Sequence, residues 1–250
     1  MSRSSRPRVV VTGAARRVGR AIALDLAAHG CDLELTCRTS RAELERTADD
    51  ARAGARAKGH EIDVRLHEID LADDAAVVAL GRDLASRGPL HGLVHNASSY
   101  GPATLADVTA ADALSHFRVN ALAPLLLTQA LASSLRQAGG AVVLFSDIHV
   151  LGRPRRRFLT YSMSKAAVTD LVATLALELA PTVRVNAIAP GVVAWPDDAD
   201  PGEVERYEAR IPLGRPGTPE DAAGCVRWLL FDAAYVTGEV LRLDGGRWLR

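Results

Sequence analysis

RVVVTGAARRVGRAIALDL (8–26) begins as an apolar β-branched run, turns at Thr12-Gly13 and resumes as an amphipathic stretch opening near Gly19. Strand, glycine turn and helix in that order bring backbone N–H groups to the positive end of a helix, where a phosphate can approach. The same alternation continues: CDLELT (31–36) then 41–57, IDVRLHEID (62–70) then 72–87, GLVHNA (92–97) then 109–137. It closes with AVVLFS (141–146) then 160–180, VRVNAIAP (183–190) then 219–231, and VLRLD (240–244). Nearly continuous apolar strands separated by helices suit a parallel sheet covered on both faces. The expected fold is α/β: a doubly wound sheet of about seven parallel strands with helices on both faces.

With 250 residues and 48% apolar content, the chain can bury one large core. A single domain over 1–250 is expected, with 1–7 as a flexible tail. Thirty basic and 30 acidic residues cancel, which favours neither nucleic acid nor an anionic membrane and points to a small-molecule substrate. Cys31, Cys37 and Cys225 form no CxxC pair, so neither a metal site nor a disulfide framework is expected. No apolar run reaches the roughly 20 residues of a membrane span, and MSRSSRPR lacks a signal-peptide core. The expected location is cytoplasmic. Among the 30 basic residues only Lys58 and Lys165 are lysine.

In the first turn, Arg17 stands where many dinucleotide loops have their middle glycine. After the second strand, where an acid would bind the ribose 2′-hydroxyl of NAD, the chain reads Thr36-Cys37-Arg38-Thr39. Arg17 and Arg38 could clamp a 2′-phosphate through charge-assisted hydrogen bonds, so the expected cofactor is NADPH. The competing reading is two solvated arginines in an Arg-rich chain.

VVLFSDIH (142–149) and YSMSK (161–165) mark the chemical end. Tyr161 and Lys165 fall one turn apart on one helix face, and a nearby ammonium would lower the phenol's pKa. Lysine at 165, in a chain that otherwise uses arginine, suggests a need for a compact charge.

TG(x5)G at 12–19, HNAS at 95–98, Asn120, the Ser/Asp strand end, YxxxK at 161–165, PG at 190–191 and the terminal VTGEVLRLDGG together resemble the short-chain dehydrogenase/reductase superfamily. The resemblance implies a single Rossmann-type sheet and hydride transfer from a nicotinamide, with Tyr161 as proton donor, Lys165 on the nicotinamide ribose and Asn120 supporting a water relay. It implies cofactor contacts from Gly13, Arg16, Arg17, Val18, Gly19, Arg38, Thr39, Asp70, Leu71, Asn96, Ala97, Ser98, Lys165, Pro190, Gly191 and Val192. TGAARRVG, NASSY (96–100) and Asp147 narrow it towards the pteridine reductase branch, which includes dihydromonapterin-type reductases. By that likeness Ser98, Tyr100, Asp147 and Tyr161 meet the pterin, and the helices at 109–137 and 160–180 pack into a homotetramer.

The strand-end register leaves two substrate classes open. If Asp147 faces the nicotinamide, it can accept N–H groups but, ionised, cannot donate to a carbonyl oxygen, which favours a nitrogen heterocycle. If Ser146 does, the enzyme is a ketone reductase of the 3-oxoacyl-thioester or polyketide type. A third reading is an inactive NADPH-binding regulatory protein. GRPRRRF (152–158) reads as a solvated basic loop or a site for an anionic tail. The long segment 191–214 reads as a substrate loop, with Trp195 closing over substrate.

Overall fold

A computed structural model of the chain describes residues 6–193, 195 and 200–250. Most of the expected tail (1–5) and part of the expected lid (194 and 196–199) lie outside the described residues. The first half of the chain alternates β1 (Arg8–Val11), α1 (Arg17–Ala28), β2 (Asp32–Cys37), α2 (Arg41–Ala57), β3 (Val64–Glu68), α3 (Asp74–Ala85) and β4 (Gly92–His95). Then come α4 (Ala110–Phe117), α5 (Ala123–Ala138), β5 (Ala141–Phe145), α6 (Leu159–Leu179), β6 (Arg184–Pro190), α7 (Pro201–Glu208), α8 (Pro219–Phe231) and β7 (Val240–Leu243).

The seven strands form one parallel sheet in the order β3-β2-β1-β4-β5-β6-β7. Val9 pairs with Leu33 on one side and Gly92 on the other, so the strand order reverses at β1. A crevice opens beyond the strands' carboxyl ends at such a reversal. Alternate side chains feed two cores: Val9, Val11 and Val143 pack with α1, α2 and α8, whereas Val10, Val142 and Leu144 pack with α3, α5 and α6. Burial on both faces is why these strands are apolar throughout. Thr218 caps α8: its hydroxyl accepts from Asp221 N at 3.1 Å, and the Asp221 carboxylate accepts from Thr218 N at 2.9 Å.

The helix expected over 109–137 is divided. Between α4 and α5 the backbone widens into a π turn, Arg118–Leu122. Pro124 explains the break: it has no N–H for the carbonyl four residues back, which belongs to Asn120, and its ring would clash there in a continuous α-helix. The segment 191–214 also contains a helix, α7, that the sequence reading treated as irregular.

One carboxylate is buried in the sheet. Glu34, only 3% exposed, accepts from His67 at 2.8 Å and from Arg8 and Arg87 at 3.4 and 3.5 Å. Burial pushes its pKa up, but the His67 hydrogen bond and the charges of Arg87, His67 and Arg8 outweigh that and hold it below the ordinary value. A depressed carboxyl adds stability above its unfolded pKa of about 4.3, and that stability is lost as the pH falls through the lower folded value. Glu34→Ala is expected to cost about 3 kcal/mol at pH 7, because two guanidiniums lose their buried counter-charge. Urea titration at pH 7 and pH 3.5 checks this, and the deficit should shrink at the lower pH.

Candidate active site

The crevice at the strand reversal is a cleft of about 610 Å³. Its floor is the β1–α1 turn, where Gly13 adopts φ +67° and its Cβ position lies 3.0 Å from the Ala97 backbone. Asn96 braces the turn by donating to the carbonyls of Thr12 and Gly13 at 2.9 and 3.0 Å, and Ala14 N donates to Thr36 O at 2.9 Å. A Cβ on Gly19 would stand 2.1 Å from Gly13 O and 2.5 Å from Asn96 Nδ2, so only glycine lets α1 begin this close to the turn. Gly19→Ala is expected to displace the start of α1, lowering stability by about 1–3 kcal/mol. Loss of NADPH fluorescence enhancement together with a lower melting temperature would show it.

Gly13, Arg16, Arg17, Val18, Gly19, Arg38, Thr39, Asp70, Leu71, Asn96, Ala97 and Ser98 line the cleft. Thr36, Cys37, Ser40, Ile69, Ser99 and Val119 also line it and were not singled out in the sequence. Pro190, Gly191 and Val192 lie elsewhere, in a strand-end turn where Gly191 N donates to Leu243 O and Val192 N to the Tyr207 hydroxyl. Arg16 pairs with Glu43 on α2. Arg17 and Arg38 make no ion pair or hydrogen bond among the described residues. Arg17 also sits at φ +49°, a left-handed conformation costly for a residue with a Cβ. The start of α1 has no side-chain cap and no acid in its first turn. Two free guanidiniums and an uncapped helix end fit a dinucleotide with an added phosphate.

At the chemical end, the Tyr161 hydroxyl donates to Asp147 Oδ2 at 2.9 Å, while Asp147 Oδ1 accepts from His149 N at 2.8 Å. Ser146 turns away: 3% exposed, its hydroxyl meets Thr169 Oγ1 at 2.8 Å against α6. Both residues therefore meet α6 just past the end of β5, Ser146 one turn or more further along it than Asp147. Of the two, Asp147 is the one bonded to Tyr161, and the Ser146 hydroxyl is not brought to the phenol.

The electrostatics also correct the sequence reading of the Tyr–Lys pair. Burial raises the Tyr161 pKa, and the charge and hydrogen bond of Asp147 raise it further. The phenol therefore keeps its proton. Lys165 Nζ donates to Phe145 O at 2.7 Å and lies 5.9 Å from the Tyr161 ring centroid. Burial lowers the lysine to about 8, against an opposing pull from Asp147. Burial first and the adjacent carboxylate second, and not the ammonium, shift the phenol.

Asn120 projects inward from the π turn and spends its side chain on protein partners. Its Oδ1 accepts from Ser99 N at 2.7 Å and Ser98 Oγ at 3.1 Å; its Nδ2 donates to Ser99 O and Ser164 Oγ, both at 2.9 Å. The side chain thus fastens the 98–99 loop to α6.

Tyr100 meets Tyr161 edge-on at 4.9 Å between centroids and stacks on Phe158 at 5.0 Å. Phe158 was missed in the sequence, although a chain with only four Phe and four Tyr makes an aromatic three residues before Tyr161 a usable signal. Trp195 packs against α7. Its indole donates to Glu208 at 3.0 Å and packs edge-on against Tyr207 at 5.3 Å, lining a separate groove of about 720 Å³ along α7. Tyr207 in turn accepts from Val192 N and feels the charge of Asp147, which links this groove to the strand-end carboxylate.

The family model described as "Enoyl-(Acyl carrier protein) reductase" matches residues 13–247. The chain is 32% identical to human "Dehydrogenase/reductase SDR family member 4", over 95% of this chain and 86% of that protein. It belongs to the short-chain dehydrogenase/reductase family. This short-chain dehydrogenase/reductase is also 31% identical to glucose 1-dehydrogenase of Gluconobacter oxydans, covering 96% and 91% of the two chains. Among solved structures it resembles FolM alternative dihydrofolate reductase 1 from Brucella suis in complex with NADP. That match has TM-score 0.86 and 33% identity and covers 99% of this chain and 96% of that one. The short-chain dehydrogenase/reductase is an oxidoreductase that uses a nicotinamide cofactor, and the proteins it resembles include a glucose dehydrogenase and an alternative dihydrofolate reductase.

Proposed function

We propose that this short-chain dehydrogenase/reductase is an NADPH-dependent reductase of the pteridine reductase type, acting on a pterin, dihydropterin or dihydrofolate-like ring imine. The hydrogen bond from Tyr161 to Asp147, with Ser146 turned into α6, carries the reading. A carboxylate at this position holds ring and amino N–H groups and disfavours a substrate carbonyl oxygen. NADPH, when bound, supplies a hydride to a ring carbon. Asp147 orients the heterocycle and fixes the Tyr161 hydroxyl, Tyr161 supplies a proton through water to the ring nitrogen, and Tyr100 gives the bicycle a stacking face. Arg17 and Arg38 hold the 2′-phosphate, Pro190, Gly191 and Val192 border the nicotinamide, and buried Lys165 presents a cation to its ribose. The similarity to an alternative dihydrofolate reductase supports this choice.

Exposed Leu114 and Phe117 on α4 and Met163 and Leu177 on α6 support a homo-oligomer through that face. Three free thiols suit a reducing cytoplasmic setting, and no helix among the described residues is long and apolar enough to cross a membrane. The test is NADPH oxidation with dihydrobiopterin, dihydrofolate and an acetoacetyl thioester. Turnover of either pterin, abolished by Asp147→Ala and retained by Ser146→Ala, is expected; turnover of the thioester alone would overturn the reading.

A further inference from the structure

Arg155 stands at the outer edge of the aromatic platform. Its Nη1 donates to the Tyr100 hydroxyl at 2.9 Å, and its guanidinium carbon lies 4.1 Å from the Phe158 ring centroid. Both rings touch Tyr161, Tyr100 at 4.9 Å and Phe158 at 6.3 Å between centroids. The loop carrying Arg155 is fastened at this place: Ala103 N donates to Arg157 O at 2.7 Å, and Ala103 bridges to Phe158.

The charge of Arg155 is uncompensated. Arg16, Arg20, Arg41, Arg87 and Arg215 each pair with an acid, whereas no carboxylate pairs with Arg155, Arg156 or Arg157 among the described residues. A guanidinium has five N–H donors, and Arg155 gives one to Tyr100. Stacking on Phe158 and the bond to Tyr100 hold the rest in place, which lowers the entropy lost when an anion is bound. The positive field also reaches Tyr161, where it opposes burial and Asp147.

We propose that Arg155 is a specificity-determining residue that pairs with an anionic group carried beyond the reduced ring, so that the preferred substrate is a carboxylate- or phosphate-bearing pterin and not a neutral one. This rests on the pterin reading above. The anion belongs to the small molecule because Arg155 sits one aromatic ring from Tyr161: whatever stacks on Tyr100 ends beside the guanidinium. An acidic protein surface would need only the outer Arg156 and Arg157.

Steady-state kinetics of the intact enzyme, its Arg155→Gln and Arg155→Lys variants, and Tyr100→Phe test this. The substrates are dihydrobiopterin (neutral), dihydrofolate (carboxylates), dihydroneopterin monophosphate (phosphate) and an acyl-carrier-bound acetoacetyl thioester. Arg155→Gln should lower the ratio of kcat/KM for the anionic over the neutral pterin by about tenfold, mainly through KM. Arg155→Lys should restore part of it, and Tyr100→Phe, which frees the guanidinium but keeps its charge, should lose less. The wild-type ratio should shrink in 0.5 M NaCl, and the more affected anion identifies carboxylate or phosphate. NADPH titration of each variant reports on the fold. An unchanged ratio, with the pterins still reduced, overturns the role of Arg155 alone; an effect confined to the acyl-carrier thioester makes the partner a protein and also overturns it. Failure to reduce any pterin overturns the parent reading and this one with it.

Discussion

Tyr161→Phe is expected to lower kcat for dihydropterin reduction by on the order of 10²- to 10⁴-fold, the range for a lost general acid. The loss falls on kcat because the Tyr161 hydroxyl makes its one strong bond to Asp147 and lies outside the cleft that would hold the adenosine half of the cofactor. Asp147→Ala should produce a comparable loss, since it removes the acceptor that aims the phenol and the carboxylate that would grip the heterocycle. Two groups acting as one unit are not additive, so the double variant should be little worse than the poorer single one. Ser146→Ala removes a hydroxyl already engaged with Thr169. It should leave kcat/KM within about threefold, a change smaller than one neutral hydrogen bond is worth. Stopped-flow single turnovers with NADPH separate the chemical step from product release. Full activity in Tyr161→Phe would remove the phenol from the mechanism.

Combining Arg17→Gly with Arg38→Asp is expected to shift cofactor preference from NADPH towards NADH by on the order of 10³. Each arginine stands to make a charge-assisted bond to the 2′-phosphate, discounted because both side chains are exposed, and the new aspartate repels the phosphate while accepting from a ribose hydroxyl. The same double variant should fold at least as well as the parent. Arg17 carries a left-handed φ of +49°, and glycine relieves about 1 kcal/mol there. Fluorescence titration with both cofactors, alongside thermal unfolding, therefore reads two opposite movements from one protein. An unchanged preference would return both arginines to the role of solvated surface charges.

The sheet was legible in the sequence because burial on both faces leaves a strand few polar options, and runs such as VVV (9–11) and AVVLF (141–145) have little else to become. The phosphate turn was legible through Gly13 and Gly19, where steric closeness admits no side chain. Helical periodicity concealed the π turn, since a widened turn preserves apolar spacing on either side; Pro124 was the local signal that one carbonyl would lose its donor. The Ser146/Asp147 choice could not be read because both residues meet α6 just past the strand, and only the positions of Thr169 and Tyr161 along that helix decide which of them reaches the phenol. The partners of Trp195 could not be read either, since Tyr207 and Glu208 belong to a helix inside the segment read as loop.

The chain's two lysines differ in a way that turns ordinary amine labelling into a site-resolved probe. Lys58 is exposed just past the end of α2, whereas Lys165 is 4% exposed beneath the tyrosine. An acylating reagent should therefore modify Lys58 at once and Lys165 only as quickly as the surrounding structure opens. The ratio of the two labelled peptides in a mass spectrum would time that opening, and a cofactor seated over Lys165 would appear as a slower second modification, with no substrate needed to see it.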